Sequence, residues 1–107
     1  MTFQKLLIKT AKLSPVKQFK HASILTKGGA ILAVDYNGNF YHAEANVLKQ
    51  LWPNKIKGST MINMRVTKEG IGMSRPCKNC WNLMKLMGVA KVIYTGRDGK
   101  NVMERVR

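Results

Sequence analysis

The chain has 107 residues, 19 of them Lys or Arg and 5 Asp or Glu, and carries a formal net charge of +14 at pH 7. This length supports one modest hydrophobic core, and no apolar run reaches the roughly 18–20 residues of a membrane span. No signal peptide is visible, so we expect a single cytoplasmic domain over residues 1–107. The positive charge attracts polyanions, which favours a nucleic acid or another phosphate-bearing partner.

Apolar residues at helical spacing and short apolar runs bounded by turn residues define the expected elements. In chain order these are a helix over 2–12, strands over 22–26 and 30–35, a helix over 43–52, a strand over 60–67, a helix over 78–87, and strands over 91–95 and 101–106. The first two strands are joined by a hairpin turn at Lys27-Gly28-Gly29. Pro53 is expected to stop the second helix, and Gly88 is expected to end the third. The helical spacing of the apolar residues places Trp52 on the buried face of the second helix.

The last two strands are separated by about five residues, too few for a helical crossover, so they should form an antiparallel hairpin. The order of elements predicts an α/β protein with a five-stranded mixed sheet covered by helices. The helices over 43–52 and 78–87 both start beside that sheet, so their N-termini can converge on one point.

Two short motifs carry the chemistry: His42-Ala43-Glu44 and Pro76-Cys77-Lys78-Asn79-Cys80. Catalytic zinc keeps three protein ligands and leaves a fourth position for water, and His42, Cys77 and Cys80 supply three. Glu44 is too close in the chain to be a comfortable fourth ligand, but it can reach that water and transfer its proton. Pro76 suits a helix start, and a helix N-terminus favours thiolate over thiol. With both cysteines used, no disulfide framework is implied.

A purely structural site is the main alternative. The chain has two histidines and two cysteines, so His21, His42, Cys77 and Cys80 would also make a four-ligand zinc site. The spacing from His21 to His42 resembles no compact zinc finger, and Glu44 would then have no role.

The two motifs together resemble the signature of the zinc-dependent base deaminases. From about Phe19 to Tyr94 the chain resembles the cytidine deaminase superfamily, in the branch with deoxycytidylate deaminase and the nucleic-acid-editing deaminases. The resemblance implies a single deaminase domain with an α/β/α fold. It also implies one Zn²⁺ on His42, Cys77 and Cys80, with Glu44 as the catalytic proton shuttle.

The aromatic-Asn-Gly loop of the family resembles Tyr36-Asn37-Gly38, and there the Asn holds the sugar or base of the substrate. Asn37 is therefore a candidate substrate contact, although an ordinary Asn-Gly turn explains it equally well. The other substrate-binding candidates are the residues that flank the motifs, namely Tyr36, Phe40, Tyr41, Ala43 and Trp81. For each of these aromatic residues a position in the core or at the rim is the plainer interpretation.

The sequence combines features that are typical of different subgroups of the cytidine deaminase superfamily. His42 stands where nucleoside deaminases usually have Cys, only three residues separate Gly38 from His42, and the short last hairpin differs from the helix usual in editing enzymes. We expect conversion of cytosine to uracil in single-stranded DNA or RNA. The alternatives are a deaminase of a free cytosine nucleotide such as deoxycytidylate, and a non-catalytic basic nucleic-acid-binding protein with a structural zinc.

Overall fold

The computed structural model describes residues 3–17, 19–38 and 41–106, which contain four helices and six strands. The helices are α1 (Phe3–Ala11), α2 (Ala43–Leu48), α3 (Pro53–Ile56) and α4 (Lys78–Met87). The strands are β1 (Lys20–Lys27), β2 (Ala30–Tyr36), β3 (Thr60–Thr67), β4 (Gly70–Gly72), β5 (Lys91–Thr95) and β6 (Asn101–Arg105). Within the described ranges, no helix is long and apolar enough to cross a membrane.

All six strands belong to one mixed sheet. Its order is β2-β1-β3-β5-β6, and β4 pairs with β3 alone. β3 and β5 run parallel, whereas β5 and β6 form the predicted antiparallel hairpin. The predicted count of five strands was wrong because the chain returns onto β3 as β4, whose three residues Gly70, Ile71 and Gly72 are too few to show alternation.

The sheet separates two apolar cores, which gives the expected α/β/α arrangement. On one face α1 buries Leu7 and Ala11 against Ala22, Ile24 and Met64. The other face packs against α2, α3 and α4, and its fully buried side chains include Leu25, Val47, Met61, Met84 and Val92. Strand residues therefore alternate between the two cores, as the pleat requires.

The second predicted helix is shorter than expected. α2 ends at Leu48, and a turn at residues 49 and 50 follows, where the N–H groups of Gln50 and Leu51 donate to the backbone oxygens three residues earlier. Trp52 is extended because the residue before a proline avoids the helical region, and Pro53 then begins α3 instead of stopping a helix. Trp52, predicted on the buried face, is 79% exposed.

Candidate metal and active site

Three side chains of the two motifs converge at the starts of α2 and α4. His42 and Cys77 are the N-cap residues of these helices, and both have extended backbones. His42 Nδ1 lies 3.2 Å from Cys80 Sγ and 3.5 Å from Cys77 Sγ. The three ligand atoms all lie within 4.8 Å of one another, close enough to share one metal ion.

The loop before Cys77 is fixed by Ser74. The buried Ser74 hydroxyl donates to the backbone oxygen of Asn63 on β3 at 3.2 Å and accepts from the backbone N–H of Thr95 on β5 at 2.8 Å. The Ser74 N–H also donates to the Thr95 oxygen at 2.9 Å. These bonds tie the segment leading to Cys77 to two neighbouring strands of the sheet.

The donor set fits zinc. One imidazole nitrogen and two thiol sulfurs are ligands that zinc prefers. Burial raises the pKa of the Cys80 thiol, and the neighbouring Glu44 and Cys77 raise it further, so its thiolate needs a cation beside it. The cluster therefore fits a single Zn²⁺. His21 is not a member of it, so the four-ligand alternative has no geometric support.

Glu44 is a buried carboxyl group next to this cluster. It is 4% exposed, and burial raises its pKa, while hydrogen bonds from its own backbone N–H and from Asn63 act in the opposite direction. Asn63 Oδ1 accepts from the buried Ser23 hydroxyl at 2.6 Å, which leaves the amide nitrogen of Asn63 to donate to Glu44. The orientation of Glu44 is thus set by a polar chain running across β1 and β3.

A pocket of about 520 Å³ opens beside the cluster. Five of the predicted site residues line it: Asn37, Tyr41, His42, Glu44 and Cys77. Cys80 is buried behind the lining at 6% exposure. Tyr36, Ala43 and Trp81 do not line the pocket, and Phe40 lies outside the described residues.

The Asn37 side chain forms hydrogen bonds with backbone groups of Phe19, just before β1, and of His21, near the start of β1. Its Oδ1 accepts from the His21 N–H at 2.9 Å, and its Nδ2 donates to the Phe19 oxygen at 2.8 Å. Its own backbone oxygen accepts from the buried Ser14 hydroxyl at 2.7 Å. Asn37 is 8% exposed, and these bonds use one of the two donor hydrogens and one of the two acceptor lone pairs of its side-chain amide.

Sequence reasoning missed several residues of the pocket wall: Phe19, His21, Arg65, Ser74 and Arg75. The register between β1 and β3 places two of these residues, His21 and Arg65, side by side in the pocket wall. Along paired β1 and β3, the cross-strand pairs on the site face change from apolar to polar to basic: Leu25 with Met61, Ser23 with Asn63, and His21 with Arg65. The sequence pattern Met61, Asn63 and Arg65 could have identified this face, since every second residue of a strand lies on the same face of the sheet.

Three cation–aromatic pairs surround the pocket. Lys49 lies 4.3 Å from the ring centroid of Tyr41, Arg65 lies 5.3 Å from Phe19, and Arg75 lies 4.6 Å from Trp81. Each pair contributes at least one residue to the pocket lining. The only acidic residue of the described lining is Glu44.

Residues 1–96 match the family model of the cytidine and deoxycytidylate deaminase zinc-binding region. Among solved structures, the fold is similar to a crystal structure of dCMP deaminase from the cyanophage S-TIM5 in apo form. That similarity has a TM-score of 0.54 and 26% identity, and it covers 86% of this chain and 82% of the other. In the comparison with curated proteins, none matches the chain. Since the family match spans both motifs and nearly the whole sheet, the resemblance inferred from the sequence is confirmed, and the chain belongs to the cytidine and deoxycytidylate deaminase family.

Proposed function

We propose that this protein is a zinc-dependent hydrolytic deaminase that converts cytosine to uracil in single-stranded nucleic acid. The observation that carries the proposal is the position of Glu44. A buried carboxyl group, oriented by Asn63, lines the same pocket as His42 and Cys77 of the metal cluster. A non-catalytic zinc protein has no use for such a group, because an unneeded buried carboxyl is costly.

The residues divide the chemistry between them. His42, Cys77 and Cys80 hold the metal, which when bound acts as a Lewis acid that makes water a stronger nucleophile near neutral pH. Glu44 takes a proton from the attacking water and delivers it to the ring nitrogen N3 as the water oxygen bonds to C4. A second proton then passes through Glu44 to the amino group. The C4–N bond breaks, and the products are uracil and ammonia.

The charge and the aromatic pairs favour a polynucleotide. A net charge of +14 on 107 residues gives a field that attracts a phosphate backbone. Proteins that bind single strands combine such a surface with aromatic side chains on which bases stack. Tyr41 is 58% exposed and Phe19 is 49% exposed, so both rings at the pocket are accessible to a flanking base.

A free nucleotide is the second candidate, and one observation favours it. The structurally similar protein from the cyanophage is a dCMP deaminase, and its likeness extends over 86% of this chain. A pocket of about 520 Å³ is also large enough for a mononucleotide. The three cation–aromatic pairs lead us to place the polymer first, since a mononucleotide has only one base to stack.

A side-by-side deamination screen by mass spectrometry tests the proposal. Zinc-loaded protein is offered cytidine, deoxycytidine, their 5′-monophosphates, single-stranded DNA, single-stranded RNA and duplex DNA. The Glu44→Gln variant, matched in zinc content, is the control for contaminating activity. We expect uracil in a single strand with wild type alone. Turnover of the free nucleotide at far higher efficiency than the strands would select the second candidate, and equal activity of both proteins would contradict the role of Glu44.

A further inference from the structure

Arg65 is one of the two arginines in the described lining of the pocket. It lies on β3 directly opposite His21 of β1, and both residues line the pocket. Its guanidinium carbon is 5.3 Å from the centre of the Phe19 ring, which also lines the pocket. The positive charge of Arg65 therefore faces the same pocket as His42 and Cys77 of the metal cluster, and the Phe19 ring lies beside it.

This guanidinium group has hydrogen-bonding capacity that the protein does not use. Arg65 Nε is buried and has no hydrogen-bond partner in the part of the chain that the structure describes. No carboxylate pairs with it in those ranges. Arg75 lines the same pocket but is committed to Glu104, with Nε 2.9 Å from Oε1 and Nη2 3.4 Å from Oε2. Of the two arginines, Arg65 is thus the one whose charge is not neutralised.

The glycine opposite Arg65 makes room for it. Gly72 of β4 is the cross-strand partner of Arg65, and its φ is not in the left-handed region, so the backbone does not require glycine there. A Cβ atom at Gly72 would lie 2.8 Å from Arg65 Nε and 3.0 Å from Nη2. The guanidinium group would have to move to accommodate it.

We propose that Arg65 binds a phosphate of the cytosine-bearing substrate, with Gly72 and Phe19 holding its guanidinium group in place. A guanidinium fork matches the oxygens of a phosphate and remains charged at any working pH. The phosphate is either the monoester of a free nucleotide or the diester of a strand. This inference rests on the pocket being the substrate site of the proposed function.

Binding of the reaction product tests the inference without requiring turnover. Zinc-loaded protein is titrated calorimetrically with deoxyuridine, with deoxyuridine 5′-monophosphate, and with a short single strand containing one deoxyuridine. Arg65→Ala should raise Kd for a phosphate-bearing ligand roughly 10- to 100-fold and leave the nucleoside nearly unchanged. Arg105→Ala is the matched control, because it removes an equal charge from an exposed position outside the pocket lining.

Gly72→Ala provides a second test that keeps the charge. It should weaken binding of the same phosphate-bearing ligand, and its effect should disappear in the Arg65→Ala background if it acts by displacing the guanidinium group. A loss confined to the oligonucleotide assigns the site to a phosphodiester, and a loss with the mononucleotide assigns it to a monoester. The inference is overturned if Arg65→Ala costs no more than Arg105→Ala with both ligands. Absence of deamination with this binding pattern intact would instead refute the proposed function alone.

Discussion

Replacing Asn37 by Ala should first of all lower stability. The side-chain amide satisfies two backbone groups at the entry to β1, namely the His21 N–H at 2.9 Å and the Phe19 oxygen at 2.8 Å. Alanine leaves both without that partner in a partly buried setting. An orphaned donor or acceptor costs about 1–3 kcal/mol when it is fully buried. Because these two groups are only partly buried, we expect a loss of about 2–4 kcal/mol in unfolding free energy, below the sum of two full costs.

Thermal melting and urea titration of the zinc-loaded protein measure this loss. It corresponds to a fall in Tm of roughly 10–20 °C for a domain of this size. Asn82→Ala is the matched control: Asn82 is exposed on α4, so its replacement should stay within about 0.5 kcal/mol.

Two outcomes would assign Asn37 a different main role. Glycine also lacks the amide, so an Asn37→Gly variant that is as stable as wild type would mean that Asn37 serves only as a turn former. A stable Asn37→Ala variant with greatly reduced kcat/KM would mean that its main contact is with substrate.

The other predictions concern the metal, the proton shuttle, charge and pH. Cys77→Ala and Cys80→Ala should each lose zinc by elemental analysis and melt at lower temperature, and full zinc content in both would contradict the ligand assignment. Glu44→Gln should keep zinc and stability but lose about 10²–10⁴-fold in kcat, which single-turnover kinetics can detect. Affinity for a single strand should fall with salt with a log–log slope of roughly −3 to −4 if about five phosphates are neutralised, whereas a flat response would argue against a polymer. Burial, aided by Arg65 and His42, lowers the pKa of His21 to about 4 from 6.5. Between pH 6.5 and 4 the unfolded chain therefore binds a proton at His21 that the folded chain does not bind, so the free energy of unfolding should fall as the pH drops through that window. The His21→Gln variant should show a smaller fall.

Features set by local sequence could be predicted. β3 has the expected bounds 60–67, and α4 has the expected bounds 78–87, because Pro76 and Gly88 enclose it. Gly88 is in the left-handed conformation that ends a helix. The approach of His42 to Cys77 and Cys80 also followed from two motifs at helix starts beside one sheet.

Features that depend on register and on distant contacts could not be predicted. The sequence around Asn37 shows an Asn-Gly pair, but the amide is used by residues 16 and 18 positions earlier. Arg65 enters the pocket only because β1 and β3 pair in a register that places it opposite His21. β4 is a strand only because it pairs with the edge of β3, since its own three residues show no alternation of apolar and polar side chains.

The most direct test of hydrolytic deamination by this protein is a reaction in ¹⁸O-labelled water. Zinc-loaded protein is incubated with a single strand containing one cytosine, and the bases are analysed by mass spectrometry. We predict uracil that carries the heavy oxygen, ammonia in equal amount, and neither product with Glu44→Gln. Absence of labelled uracil from this strand and from free cytosine nucleotides, at full zinc loading, would show that the protein is not a hydrolytic cytosine deaminase.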